Sequence, residues 1–212
     1  MHTVFEDSAE AGKRLSKHLS RYHQTEAVIL AIARGGVPVA VATAHRVLLP
    51  WNVLVVRKLP VPWHPDTGFG AVAADGSVAL NEGLVHGLGL RSNQMNEIIE
   101  RVRGETLAQS ETYSAIRPEL DISGTTVVLV DDGLASGYTM LAAIESARAK
   151  GASKVVAAAP VASRSAAALV QEAADETIFE LISPTVPFSI ADFYLVRRSL
   201  TDEDIVSMLR TS

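Results

Sequence analysis

Residues 125–139 read Thr-Thr-Val-Val-Leu-Val-Asp-Asp-Gly-Leu-Ala-Ser-Gly-Tyr-Thr, and they are the most informative part of the sequence about the fold. Its first part, Thr125–Val130, ends in four consecutive apolar residues, which is typical of a strand buried on both sides in a parallel sheet. Two carboxylates follow the strand, and a loop of small residues then leads into a helix. Open parallel sheets bind ligands beyond the carboxyl ends of their strands, so the stretch also indicates where a site lies.

The rest of the chain alternates in the same way between apolar strands and helices. Further strands are predicted at Ala27–Ala33, Val53–Val56, Val155–Ala159 and Thr177–Ile182, with helices at about 8–22, 36–49, 91–117, 137–150, 163–174 and from 201. This order predicts an α/β fold with a parallel sheet flanked by helices on both faces, and we expect residues 1–212 to form a single domain.

Prolines and glycines interrupt this pattern between Leu59 and Asn81. The interruption predicts a flexible insertion after the second strand, and Asp75-Gly76 within it predicts the turn of a short hairpin. Because residues 59–68 offer little apolar surface for packing, we expect them to be a mobile lid without ligand.

Composition excludes several classes of protein. The chain has no cysteine, which excludes disulfide scaffolds, cysteine-ligated metals and thiol catalysis. With 19 basic and 24 acidic residues its net charge is −5, which is unfavourable for binding a nucleic acid polymer. No apolar run reaches the ~18 residues of a membrane span. We therefore expect a cytoplasmic protein whose partners include neither a membrane nor a nucleic acid polymer.

The acid pair Asp131-Asp132 and the loop Ala135–Thr139 predict a sugar-phosphate site. Adjacent carboxylates repel each other unless a cation or hydroxyl donors share them. The loop amides and two hydroxyls lie where a helix begins, which favours a phosphate. A ligand with both a phosphate and vicinal hydroxyls suits the two halves together. The alternative is an acidic strand end before an ordinary capped helix.

Two further segments leave strand ends with suitable chemistry. Glycines in Arg34-Gly35-Gly36 allow conformations closed to other residues and expose amides to an anion, although a plain tight turn has the same sequence. The cations of Arg57-Lys58 follow the second strand and would face the same crevice, unless they are a solvated pair before a surface loop.

Residues 127–139 resemble the thirteen-residue phosphoribosyl pyrophosphate motif of the type I phosphoribosyltransferases. The resemblance implies that Asp131 and Asp132 meet the ribose hydroxyls and hold Mg²⁺, mostly through those hydroxyls or water. It implies that the 5-phosphate binds the loop residues Ala135, Ser136, Gly137, Tyr138 and Thr139. Two residues depart from the motif: Ser136 replaces the usual Thr and keeps the hydroxyl, whereas Tyr138 replaces a small residue and either narrows the phosphate pocket or points outward.

The resemblance extends to other segments. Arg34-Gly35-Gly36 resembles the family's pyrophosphate loop, and Arg57-Lys58 precedes the position of its flexible catalytic loop. An uncharacterised bacterial subgroup of the family has a similar sequence around 57–73 and in the tail, at Ala191–Tyr194 and Thr201–Asp204. A small C-terminal hood and a homodimer are common in the family.

The resemblance implies an enzyme that transfers a phosphoribosyl group from phosphoribosyl pyrophosphate to a nucleobase-like acceptor nitrogen, with Mg²⁺ as cofactor and release of pyrophosphate. Arg57, Lys58, Asp131 and Asp132 would be its catalytic residues. A binding or regulatory module without transfer is the alternative, and a hydrolase with Asp131 as nucleophile is a weaker one.

The acceptor side is less defined by the sequence. Enzymes of the family that act on 6-oxopurines carry an Asp where this chain has Ala135, so any general base must come from elsewhere. Phe188, Phe193 and Tyr194 are candidates for a wall that stacks on a flat ring, or else they belong to the core.

Overall fold

The computed structural model of the chain describes residues 5–211. Its strands are β1 Val28–Ala33, β2 Trp51–Val61, β3 His64–Ala73, β4 Val78–Leu80, β5 Thr126–Val130, β6 Lys154–Ser163 and β7 Glu176–Ser183. Its α-helices are α1 Ser8–His18, α2 Gly36–Val47, α3 Glu82–Leu88, α4 Ser92–Ser114, α5 Tyr138–Ala149, α6 Arg164–Ala173 and α7 Asp202–Thr211. Within this part of the chain, no helix has the length and apolar character needed to cross a membrane.

A single seven-stranded sheet runs in the order β4-β3-β2-β1-β5-β6-β7. Strands β2, β1, β5, β6 and β7 are parallel, whereas β3 and β4 are antiparallel additions at one side. The prediction of a mostly parallel α/β sheet is confirmed. Central β1 brings the key segments together, because Ala31 pairs with Val53 of β2 and with Val130 of β5.

Helices cover both faces of the sheet, which explains why β1 and β5 lack polar alternation. Helices α5 and α6 share one apolar cluster with Leu30 and Leu129. Helices α1, α2 and α7 share the other with Ile29 and Val128. Successive side chains of a strand point to opposite faces, so strands covered on both faces are apolar throughout.

The insertion after the second strand is a regular β-hairpin from its start, whereas the sequence predicted a hairpin only around Asp75-Gly76. Strand β2 continues to Val61 and β3 begins at His64. Leu59, Val61 and Phe69 are fully buried in a cluster with α3 and α4. Pro60 lies where the strand register shifts, a position at which its missing N–H costs little.

The second hairpin of the insertion is confirmed. Strands β3 and β4 meet at Asp75-Gly76, where Gly76 has a φ of +94° and the Asp75 carboxylate accepts from the Ser77 amide at 2.9 Å. Helix α3, which follows β4, has no counterpart in the sequence prediction. Its signal is Asn81, whose side chain caps the helix by accepting from the Leu84 amide.

After β7, residues 184–201 form a connection to α7 that we call the hood. A short 3₁₀ turn, Ile190–Phe193, lies in its middle. Tyr194 forms a parallel bridge with Phe5, and the two rings lie 5.4 Å apart between centroids. Ile190 lies close to Gly133, so the hood reaches the carboxyl edge of the sheet.

Candidate functional site

The acid pair lies at the tip of β5 and is asymmetric. Asp131 is half-buried and accepts a hydrogen bond from the Asp132 amide at 2.8 Å, while Asp132 is buried. Burial, followed by the negative charge of Asp132, raises the pKa of the Asp131 carboxyl well above its usual range. Without a ligand the site therefore disfavours a second negative charge beside Asp132, and a ligand that donates hydrogen bonds or brings a cation would remove this penalty.

The hood supplies partners to Asp132 that sequence reasoning missed. The Arg197 guanidinium donates to its carboxylate from Nη2 at 2.9 Å and from Nε at 3.3 Å. The buried Tyr194 hydroxyl donates to its backbone carbonyl at 2.6 Å. No local motif predicts this role of Arg197, because the residue reaches the end of β5 only when the hood is folded.

The Arg34–Gly36 loop packs so closely against the acid pair that neither of its glycines has room for a side chain. A Cβ atom on Gly35 would lie 2.8 Å from the Asp132 carboxylate carbon, and one on Gly36 would lie 2.5 Å from the Val130 carbonyl oxygen. Gly35 has ordinary right-handed angles, φ −60° and ψ −38°. The predicted reason for this glycine, an unusual conformation, is therefore wrong: glycine is needed for space. The peptide between Ala33 and Arg34 is cis.

The predicted phosphate loop is held by hydrogen bonds to β6 on one side and is exposed on the other. Leu134 is held to β6 by its amide, which donates to Val161 at 2.9 Å, and by its carbonyl, which accepts from Ser163 at 2.8 Å. The Ser163 hydroxyl also donates to the Ala135 carbonyl at 2.7 Å. Gly137 precedes α5 with a φ of +87°, which favours glycine. The first amides of a helix lack partners within it, so those of α5 are available to an anion.

A cavity of about 490 Å³ joins the acid pair to this loop. Lys58, Asp66, Ala135, Ser136, Gly137 and Thr139 line it together with Asp131 and Asp132. Tyr138 does not contribute to the lining, so it leaves the width of the pocket unchanged. The Lys58 ammonium donates to the Asp66 carbonyl at 2.6 Å across the hairpin.

A second cavity, of about 350 Å³, lies at the other side of β2 and is rich in cations: Arg34, Arg57, Lys58 and Arg101. Lys58 lines both cavities, whereas Arg57 lines only this one, because neighbouring side chains of a strand point to opposite faces. The structure thus brings Arg34 and Arg57 together and places Lys58 between them and the acid pair. Arg101 was missed, since nothing in its helix pattern marks it.

The donor set at the acid pair suits Mg²⁺ bound together with a ligand. Across residues 5–211, no three acidic or histidine side chains are grouped as a protein-only metal cage. Mg²⁺ usually keeps several waters and binds one or two carboxylates plus substrate phosphates. Two adjacent carboxylates on an open cavity fit that description.

The candidate aromatic wall is mostly core. Phe193 and Tyr194 are buried in a cluster with Phe5, so neither offers a ring face to a ligand. Phe188 is half-buried and its ring lies 5.4 Å from that of Phe193. Of the two alternatives for these rings, membership of the core is correct for Phe193 and Tyr194.

Comparison with known proteins matches part of this chain to a known domain family. The phosphoribosyl transferase domain family matches residues 73–197, a range that contains the acid pair, the phosphate loop and Arg197. Two strains of Mycobacterium tuberculosis have a protein provisionally named a phosphoribosyl transferase, 35% identical over 206 residues. The match covers 97% of this chain and 46% of theirs, so the chain spans about half the length of these relatives.

Solved structures agree on the fold. The TT1426 protein of Thermus thermophilus is 32% identical, with a TM-score of 0.80 and 98% of both chains covered. A purine phosphoribosyltransferase of Pyrococcus horikoshii is 17% identical with a TM-score of 0.50 over 92% of each chain, a likeness of fold alone. The domain match and the similarity to the Mycobacterium tuberculosis and Thermus thermophilus proteins show that this chain belongs to the phosphoribosyl transferase domain family.

Proposed function

We propose that this chain transfers a phosphoribosyl group from phosphoribosyl pyrophosphate to a nucleobase-like acceptor nitrogen and releases pyrophosphate. The observation that carries the proposal is the meeting of three ligand-binding features at one sheet edge: the acid pair, the open phosphate loop and the cluster of cations. We also propose that residues 1–212 act as one domain, because a single sheet connects all of these features. A homodimer stays a prediction from the family.

In this proposal the larger cavity binds the ribose 5-phosphate half of the donor. Asp131 and Asp132 accept hydrogen bonds from the ribose hydroxyls, which lowers the cost of keeping two carboxylates together. The phosphate binds the amides at the start of α5 and the hydroxyls of Ser136 and Thr139, where the helix dipole favours negative charge. Because Ser163 and β6 hold the loop in place, little reorganisation is needed when the ligand binds.

The cationic cavity would stabilise the leaving pyrophosphate. As the anomeric bond breaks, positive charge develops on the ribose and negative charge on the leaving group. Arg34, Arg57 and Lys58 line this cavity, on the side where that negative charge would appear. Gly35 lies beside the Asp132 carboxylate, between this cavity and the acid pair. Preorganised charges of this kind often supply the largest share of catalysis. Mg²⁺, when bound by the acid pair and the donor, would neutralise further charge on the phosphates.

The acceptor must bring its own nucleophilic nitrogen or meet a base outside the phosphate loop. Ala135 is exposed in that loop and its methyl group accepts no proton. We therefore propose an acceptor other than hypoxanthine or guanine. Efficient transfer to either purine by the unaltered protein would contradict this part of the proposal.

The function is tested by pyrophosphate release. Purified protein is mixed with phosphoribosyl pyrophosphate, Mg²⁺ and one of a panel of nucleobases and small amines. We expect release that depends on one acceptor and stops when Mg²⁺ is chelated. Tight donor binding without turnover for any acceptor would favour the binding or regulatory module instead, and a phosphorylated Asp131 would favour the hydrolase.

The tip of the β2–β3 hairpin should close over the bound donor. Residues 62–67 are exposed at this tip, whereas Leu59 and Val61 before it are buried. We expect hydrogen exchange at the non-proline residues of 62–67 to be fast without ligand and slower with phosphoribosyl pyrophosphate and Mg²⁺. The amides of Leu59 and Val61 should be protected in both states, and equal exchange at the tip in both states would exclude a lid.

A further inference from the structure

The Asp202 carboxylate, at the start of α7, accepts hydrogen bonds from two residues that line the cationic cavity, Arg34 and Gln109. Three donors converge on Oδ1 of Asp202: the Tyr113 hydroxyl, the Gln109 amide nitrogen at 2.6 Å and the Arg34 guanidinium at 3.4 Å. The hydrogen bond from Tyr113 is the main cause that holds the pKa of the Asp202 carboxyl below its ordinary value. The carboxylate is therefore ionised at neutral pH and accepts hydrogen bonds only.

This carboxylate determines which way the Gln109 amide faces. Gln109 is buried, and its amide nitrogen donates to Asp202 and also to the Tyr113 hydroxyl at 2.9 Å. A side-chain amide has its donor and its acceptor on opposite atoms. With the nitrogen bound to an acceptor-only group, the amide oxygen must face the other way.

The amide oxygen faces Arg57. It accepts from the Arg57 Nε at 3.1 Å and from Nη2 at 2.9 Å, and Glu105 takes the remaining Nη1 at 3.2 Å. If the amide were turned round, its N–H groups would point at a guanidinium that only donates. Asp202 therefore fixes Arg57 through Gln109 and contacts Arg34 directly.

We infer that Asp202 is a positioning residue that orients Arg34 and Arg57 for the pyrophosphate half of the donor, with Gln109 as its intermediary. The inference rests on the proposed function. It adds helix α7, which lies outside the family match at 73–197, to the machinery of the site. Arginines kept in place before binding lose less side-chain entropy when the ligand arrives, so the effect falls on pyrophosphate affinity.

The test compares two ligands that use different halves of the site. Asp202→Asn removes the charge and lets either orientation of Gln109 be bonded. Gln109→Met keeps the length of the side chain and removes the acceptor of Arg57. Measured by calorimetry with Mg²⁺, pyrophosphate should bind each variant about 10- to 100-fold more weakly, the effect of losing a hydrogen bond to a charged group. Ribose 5-phosphate, held by the acid pair and its loop, should keep its affinity within about twofold.

Two further variants separate positioning from general damage to α7. Glu203→Gln removes a charge from the same helical turn at an exposed side chain and should change neither affinity. Asp202→Glu restores the carboxylate and should recover much of the lost pyrophosphate affinity. Equal weakening of both ligands in Asp202→Asn, or no weakening of pyrophosphate, would overturn the inference.

A readout that needs no ligand distinguishes failure of this inference from failure of the proposed function. Phenylglyoxal modification of arginines, mapped by mass spectrometry, should be slow at Arg34 and Arg57 in the parent protein and faster in Asp202→Asn. Unchanged modification rates would refute the positioning role. Accelerated modification in a protein that binds neither pyrophosphate nor ribose 5-phosphate would instead leave Asp202 as the positioning residue of a site with another ligand, and would refute the proposed function.

Discussion

Replacing both Asp131 and Asp132 with Asn should abolish measurable binding of phosphoribosyl pyrophosphate while the fold is retained. The change keeps the size of both side chains and removes the charge that attracts ribose hydroxyls and Mg²⁺. Hydrogen bonds that involve a charged group contribute about 1.5–3 kcal/mol each, so the loss of two such acceptors should weaken binding by about 10²- to 10⁴-fold. Calorimetry with Mg²⁺ measures this directly, and unchanged affinity would refute the role of the acid pair.

Replacing the acid pair should lower the free energy of unfolding far less than it lowers the affinity for the donor. The pKa of Asp131 is raised in the folded chain, so folding favours its protonated form and the charged form costs stability at neutral pH. That cost is absent below the unfolded pKa of Asp131 and grows as the pH rises towards the folded value. Asp131→Asn alone should therefore raise the free energy of unfolding near pH 7, with a smaller gain at acid pH.

Denaturant unfolding at neutral and acid pH separates this effect from the loss of ligand binding. Glu172→Gln, at an exposed position on α6, is a control for charge removal and should change neither property. Asp132→Asn should show less gain than Asp131→Asn, because it also breaks the ion pair with Arg197. A lower stability of Asp131→Asn at neutral pH would show that its charge is compensated in the fold.

The parts of the site predicted from the sequence are those in which every needed residue is close in the chain. The strand, acid pair, loop and helix of 126–149 occupy consecutive positions, and local chemistry was enough to predict their order. Gly137 is an example: a helix start after a turn favours glycine for reasons confined to neighbouring residues.

The parts that were missed depend on contacts between distant positions. Arg197 reaches Asp132 across 65 residues, and Gln109 reaches Asp202 across 93. Periodicity describes which face of an element is apolar but not which polar side chains meet. The extension of β2 through Pro60 was missed for the same reason, since Pro60 interrupts a strand locally while Leu59 and Val61 pack against α3 and α4.

The sequence analysis expected glycine at position 35 because of its backbone angles, whereas the structure requires it because a side chain would not fit. The two reasons predict different effects of alanine at this position. If glycine were needed for its backbone angles, alanine would strain the chain. With φ at −60° the angles suit alanine. The added methyl group would instead overlap the Asp132 carboxylate, whose atoms lie 2.8–2.9 Å from the position of the new Cβ.

Gly35→Ala should therefore weaken phosphoribosyl pyrophosphate by about 100-fold or more, because the carboxylate must leave its place beside Arg197 to make room. The loss of stability should be modest, since the end of one side chain moves rather than the backbone. Gly36→Ala should instead lower the stability of the fold, because its methyl group would lie 2.5 Å from the backbone carbonyl oxygen of Val130, which cannot move aside as a side chain can.

Gly104→Ala is the matched control for both changes. Gly104 lies inside α4 with no atom within 4 Å of an added Cβ, and alanine in a helix is favoured over glycine by about 1 kcal/mol. We expect this variant to be more stable and to bind the donor as the parent does. Calorimetry and denaturant unfolding on the three variants would then give three different pairs of results. If Gly35→Ala kept full affinity, the Asp132 carboxylate would have a second position from which it binds the donor equally well, and its contact with Arg197 would not be needed for the site.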